Sequence, residues 1–144
     1  KGYSDSWIEL RMRGIAIRED LTDQWKGRGA KQQIDYEILT SEISHATFGL
    51  TPKQYKKHKR LNRQNLRDHI DDFELLLTSL GERTTTEIHK VENSQGIPKL
   101  KKDAKEGGKI AGDTRKRIEK RLGRSLVSNT NFLKTPEAEQ RKIK

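Results

Sequence analysis

The sequence predicts an all-α protein: about six helices packed around one central helix, residues 65–80, with a C-terminal helical arm. Three observations carry this. One long run, NLRDHIDDFELLLTSL from Asn65 to Leu80, is both apolar and regular. Helix-start and helix-stop residues recur along the chain. A strip of small residues repeats at helical spacing near the C-terminus.

In the central run Leu66, Ile70, Phe73, Leu77 and Leu80 follow at steps of four, three, four and three, with Leu76 beside them. Such steps mark one face of an α-helix, whereas a strand needs a step of two. Asn65 serves as N-cap, Asp68, Asp71 and Asp72 suit the positive end of the helix dipole, and Gly81 supplies a C-terminal stop. Burying such side chains is worth roughly 1.5–3 kcal/mol each.

Taken in order, Ser6 and Glu9 have capping-box spacing, and Trp7, Ile8, Leu10 and Met12 follow, so a helix is expected there, bent or interrupted near Gly14. A second is expected over 17–26 with Leu21 and Trp25 inward, both tryptophans reading as core anchors. KGRGAKQQ, residues 26–33, reads as a loop whose glycines could approach a phosphate backbone, without P-loop spacing. Residues 35–48 read as a helix ended by Gly49, with Ile38, Leu39, Ile43, Ala46 and Thr47 inward. Thr51-Pro52 restarts a helix with Tyr55 inward. A DNA-reading helix-turn-helix would place a small residue four positions before the turn glycine. That position is His45, with Ala46 one place late, so a plain helical corner is the reading. Thr84 and Glu87 form another capping box before Ile88 and Val91. NSQGIP, ending at Pro98, reads as a linker. The expected division is a helical core over 1–93, a linker over 94–98, an arm over 99–133 and a frayed charged tail over 134–144. In the arm, Leu126-Val127 and Phe132-Leu133 read as apolar pegs.

Composition narrows the function. The 144 residues suit one domain or a piece of a longer protein that begins here at Lys1. Hydrophobic residues are 30% and charged residues 36%, so the core must be thin. Without cysteine there are no disulfides or thiol chemistry, which fits a reducing cytosol, and a cytoplasmic location is expected. No apolar run approaches the ~18 residues of a membrane span. The net charge of +10 points to a polyanion, most often nucleic acid.

The charge is concentrated. From Ile43 to Arg67 there is no acidic residue, while Lys53, Lys56, Lys57, Lys59, Arg60, Arg63 and Arg67 fall there. Like charges without counter-charges repel one another, so these seven are the candidate nucleic-acid-binding residues. Lys99 to Arg124 carries a net +7, with its acids interspersed. In this arm Ala104, Gly108, Ala111 and Gly112, with Gly107 adjoining, leave a strip free of side chains. That strip suits close helix packing, either on the protein's own core or on a second copy or partner. The last option makes these residues an interaction candidate and the protein a candidate homo-oligomer. No catalytic motif, metal site or cofactor fingerprint is expected. Asp68, His69, Asp71, Asp72 and Glu74 hold oxygen and nitrogen ligands that a metal-dependent nuclease could use, but acids in a first helical turn are expected for dipole reasons alone.

The run YKKHKRLNRQNLRDHIDDFELLLTSLGERTTTEI, residues 55–88, resembles the C-terminal half of the DNA-damage-inducible protein D family and related prophage proteins. So do WIELRMRGIAIREDLTDQW, EILTSEISHATFGLTPKQY and AKEGGKIAGDTRKRIEKRLGRSLVSNTNFL. Together these blocks cover nearly the whole chain. In that family a domain similar to the Bro-N module of phage antirepressors precedes this half. The resemblance implies a bacterial or prophage protein of the SOS response, acting on DNA or on proteins that coat it, and identifies no binding residue. The leading expectation is a non-enzymatic regulator binding DNA or a DNA-bound recombination protein. Its rivals are a protein-interaction or oligomerisation module and a metal-dependent nuclease.

Overall fold

The computed structural model describes residues 2–143, and all its regular elements are helical. They are α1 (Asp5–Gly27), α2 (Gln33–Phe48), α3 (Pro52–His58), a 3-10 turn (Leu66–Asp68), α4 (Asp72–Glu92), α5 (Ile97–Leu122) and α6 (Glu137–Ile143). No helix among the described residues is long and apolar enough to cross a membrane. Helix α1 packs on α4, α4 on α5, and α5 on α2.

Residues 5–27 form one helix rather than two. It is capped by Ser4, whose side chain accepts the Trp7 amide hydrogen bond, not by Ser6. Gly14 does not interrupt it. A Cβ there would lie 3.6 Å from Ser79 Oγ on α4, so the glycine admits a neighbouring helix. Both tryptophans are buried anchors: Trp7 Nε1 donates to the Ile70 carbonyl at 2.8 Å and Trp25 Nε1 to His89 Nε2 at 3.1 Å.

The central helix is shifted from its expected place. Asn65 caps only the 3-10 turn, accepting from the Arg67 amide. The helix proper starts after Asp71, which forms a reciprocal capping box with Glu74 and so supplies the stronger start. Gly81 does not stop it, and Thr84 does not begin another; α4 runs unbroken to Glu92 and ends on Asn93 in the left-handed conformation that asparagine tolerates. Ile70 and Leu77 are buried as expected, but Leu76 and Leu80 face outward and Leu75 and Glu74 take the interior.

The expected linker is a structured corner. Ser94 is buried, with its hydroxyl on Asp103, and Gly96 N donates to the Arg28 carbonyl at 2.8 Å. A Cβ on Gly29 would sit 3.3 Å from Gly96 Cα, and both glycines have positive φ. Gly29 of the glycine loop at 26–33 thus approaches another backbone of the same chain, while Gly27 has open space beside it.

Helix α5 is accordingly interior rather than a detachable arm. Leu100, Ala104, Gly107, Gly108, Ala111 and Gly112 are all buried. A Cβ on Gly108 would lie 2.7 Å from the Ile43 carbonyl oxygen and 2.8 Å from Ala46 Cβ. One on Gly112 would enter the Ala46 carbonyl, and one on Gly107 would enter Thr85. Gly81 of α4 faces Thr47, Ile43 and Ala111 across the same junction. The small-residue strip is therefore where α2, α4 and α5 cross at backbone distance. The buried apolar residues form two clusters, one around Leu21, Trp25, Leu39 and Leu100 that includes Ala104, and one around Trp7, Phe48, Tyr55, Leu77, Leu126 and Phe132.

The C-terminal segment also belongs to the fold. Leu126 and Phe132 are buried pegs, whereas Leu133 is exposed. The tail expected to fray forms α6. Its Glu137 accepts hydrogen bonds from Ser4 N at 2.5 Å and Ser4 Oγ at 3.0 Å, placing a carboxylate at the positive end of α1.

Gly108→Leu should lower stability by at least about 1–3 kcal/mol through overpacking. Thermal melts over a wide range of protein concentration should all shift downward together. An unchanged melting temperature combined with lost self-association would show instead that the strip is an intermolecular contact.

Candidate nucleic-acid interface

Helix α3 and the loop after it carry the basic run. Thr51 and Gln54 cap each other reciprocally, and Pro52 occupies the first turn. The helix lasts seven residues. It ends with Leu61 N donating to the Lys56 carbonyl at 2.9 Å and Arg60 N to the Lys57 carbonyl at 3.0 Å. This is a Schellman closure, and its left-handed position, usually glycine, holds Arg60 with φ 59°.

The seven candidate cations divide into two sets. Lys59 is fully buried. Its Nζ donates to Glu74 Oε1 at 3.1 Å and to the Thr130 carbonyl at 2.9 Å. Glu74 also receives the Tyr55 hydroxyl, Asp71 N at 2.9 Å and Ser128 N at 3.2 Å. Burial pushes the Glu74 carboxyl up to about 7, against the pull of Lys59 and its other donors. Burial likewise lowers Lys59, against the pull of Glu74. Arg67 also turns inward, as a fork onto Glu82 at 3.0 and 2.6 Å, and Arg18 reaches the same carboxylate at 2.8 Å. Burial would raise Glu82, but the two guanidinium groups hold it below the ordinary carboxylate range. Lys59 and Arg67 are therefore internal braces and leave the candidate interface.

The other five remain at the surface. Lys53, Lys57, Arg60 and Arg63 are exposed and Lys56 is half-buried. None has an ion-pair partner among the described residues, whose basic-run pairs are those of Lys59 and Arg67. The braces explain the projection: Lys59 and Leu61 are buried on either side of the exposed Arg60, and Arg63 stays exposed before Arg67 turns inward. Beneath the loop lies a cavity of about 350 Å³ between α2, α3 and α4, with Glu82 and Arg67 in its lining and Lys56 and Arg63 beside them.

A second basic face was masked in the sequence by Glu119. Lys116, Arg117, Lys120, Arg121 and Arg124 are all exposed at the end of α5. Glu119 turns aside, receiving Arg115 Nη1 at 2.8 Å and Leu126 N at 2.8 Å. The spacing of these cations, in adjacent pairs four residues apart, was the available signal.

Other polar groups are structural. The Asp103 carboxylate receives both the Ser94 hydroxyl and His89 Nδ1, the latter at 2.9 Å. Serine therefore bonds the carboxylate rather than the imidazole, and Trp25 occupies His89 Nε2, so no activated nucleophile results. The nuclease candidates do not converge either, since Glu74 points into the core and His69 Nδ1 accepts Phe132 N at 3.0 Å. Among the described residues no group of three or more His, Asp or Glu could hold a metal ion. No protein-family model, curated protein or solved structure matches the chain.

Glu74→Ala should cost about 3–5 kcal/mol, because it leaves a buried ammonium unpaired; chemical denaturation measures this, and a loss below about 1 kcal/mol would contradict the role given to Glu74. For His89, burial lowers the pKa, and Nε2 must stay unprotonated to accept from Trp25. The unfolded chain binds a proton near pH 6.5 that the folded chain resists, so stability should fall as pH drops below about 6.5. His89→Gln keeps a donor and an acceptor without titrating, so it should flatten the slope of unfolding free energy between about pH 6.5 and 5. An equal slope in both proteins would remove His89 as the cause.

Proposed function

We propose that this chain is a non-enzymatic, cytoplasmic nucleic-acid-binding regulator whose partner is DNA, or a recombination protein bound to DNA. The observation that carries the reading is the set of cations Lys53, Lys56, Lys57, Arg60 and Arg63. They stand together on α3 and its following loop without a counter-charge among the described residues. Such an arrangement is costly unless a polyanion supplies the charge. The resemblance to the DNA-damage-inducible protein D family points the same way and supplies the SOS and prophage context.

Arg60 adds a further reason. A non-glycine residue in the left-handed region costs on the order of 1 kcal/mol, and such strain concentrates at functional positions. Of the rival readings, oligomerisation through the small-residue strip lacks its surface, because that strip is filled by α2 and α4. A nuclease would have to recruit side chains that the fold has committed elsewhere.

Changing Lys53, Lys57, Arg60 and Arg63 to Glu should abolish DNA binding while leaving helix content intact. For the wild type, contact with about four phosphates gives a slope of log K against log salt near −4 on duplex DNA. Unchanged affinity in the quadruple variant would refute the proposal. Arg60→Gly should separate binding from stability, raising the melting temperature through relief of up to about 1 kcal/mol while weakening DNA binding. A variant that is both less stable and equally tight would show that Arg60 serves the fold rather than the ligand.

A further inference from the structure

The cavity under the α3 loop has a composition that the surface charge alone does not explain. Its lining includes the buried Ile43, Phe48, Tyr55 and Ile70, the half-buried Leu66, Lys56 and Gln64, and the exposed Arg63 and Asn65. A hollow of about 350 Å³ with apolar walls and two cations beside it suits a group that is flat, largely apolar and tethered to negative charge. An unstacked nucleobase joined to its phosphates is such a group, and proteins that hold single strands combine a basic track with apolar seats for bases.

The hydroxyls of the lining sharpen the choice. Ser44 Oγ donates to the Leu50 carbonyl at 2.7 Å and Thr78 Oγ1 to the Glu74 carbonyl at 2.9 Å, while Thr40 Oγ1 donates to the Tyr36 carbonyl at 2.7 Å and already accepts from Arg18 Nη2 at 2.5 Å. Each has one proton, and each proton is committed to the backbone. Toward the cavity these oxygens can only accept. The Glu82 carboxylate in the lining is already spent on the guanidinium groups of Arg67 and Arg18, so Ser44 and Thr78 supply the free lone pairs. Acceptors call for donors, and among base edges the exocyclic amines of adenine and cytosine supply them, whereas the matching position of thymine is a carbonyl.

We propose that the cavity seats one unstacked, amine-bearing base of a single-stranded nucleic acid, while Lys56 and Arg63 hold the flanking phosphates. This rests on the reading of the α3 loop as a polyanion surface and adds strandedness and base class to it. A base paired in a duplex cannot enter without being extruded, so single strands are preferred.

The test uses fluorescence anisotropy with the full chain and dA, dC and dT homo-oligomers, alongside a duplex of matched length. The wild type should bind dA and dC oligomers roughly tenfold more tightly than dT or duplex, the scale of one seated base. An oligomer carrying 2-aminopurine should brighten on binding as that base leaves its stack, a measurement that needs no variant. Ser44→Leu, which fills the cavity, should erase the single-strand preference while leaving weaker, salt-dependent binding. Thr78→Val, nearly isosteric, should narrow the gap between dA and dT. Equal binding to all four ligands without a 2-aminopurine signal would overturn the cavity proposal and leave the polyanion surface standing. Absence of binding to any of them would overturn both. A dT preference would overturn the assignment of the lining as acceptors.

Discussion

The fold depends on three buried polar side chains on one face of α4: Glu74, Glu82 and His89. They lie about two helical turns apart, so they share a face. Each fastens different segments to the same helix. Glu74 holds Tyr55 and Lys59 from the end of α3 together with Ser128 of the C-terminal segment. Glu82 holds Arg18 of α1 and Arg67 of the loop. His89 holds Trp25 of α1 and Asp103 of α5. Among the described residues Thr86 Oγ1 is the buried side-chain polar atom without a partner. This answers how a chain with 30% hydrophobic residues builds an interior. Buried ion pairs add little over well-packed apolar groups, but a misplaced one leaves an uncompensated charge. What these groups supply is register, since any other arrangement of the loops strands a charge.

The same constraint shapes the surface. A run of seven cations would be a diffuse positive patch if all pointed outward. Two are withdrawn, Lys59 to Glu74 and Arg67 to Glu82, each across 15 residues of sequence. Withdrawing them fixes both ends of the loop and leaves Arg60 and Arg63 projecting from a rigid support. Preorganised cations lose less side-chain and loop entropy on binding than cations on a mobile segment. The braces thus link the interior of α4 to the charged face without contributing charge to it.

Local capping chemistry was legible at some helix ends, yet the same kind of signal at Gly81 and Thr84 falls inside α4. Gly49, Thr51-Pro52 and Gly123 end or begin helices where their residue types imply. Boundaries failed where two local signals competed, as when Asp71 with Glu74 outranked Asn65. Burial of charge failed because its partner is distant in sequence: nothing near Lys59 announces Glu74. Yet one clue was present. Glu74 falls four residues after Ile70 and three before Leu77, squarely on the apolar face, as Asp103 falls beside Leu100 and Ala104. A charged residue at an inward helical position is either an error of register or a buried brace, and here it is the brace. The small-residue strip carried a comparable ambiguity, because backbone-distance packing within a chain and between chains uses the same residues.

The cavity follows from the braces as well. A loop free to settle would collapse onto Ile43, Phe48 and Ile70 and bury more apolar surface. It is held off at one end by Lys59, drawn toward Glu74 and Thr130, and near the other by Arg67, locked onto Glu82. Between these anchors the chain spans a hollow that its own side chains do not fill. The residues that hold it open are charged, and the cations Lys56 and Arg63 stand beside it. One set of interactions therefore determines both where a polyanion would lie and where part of it could be received.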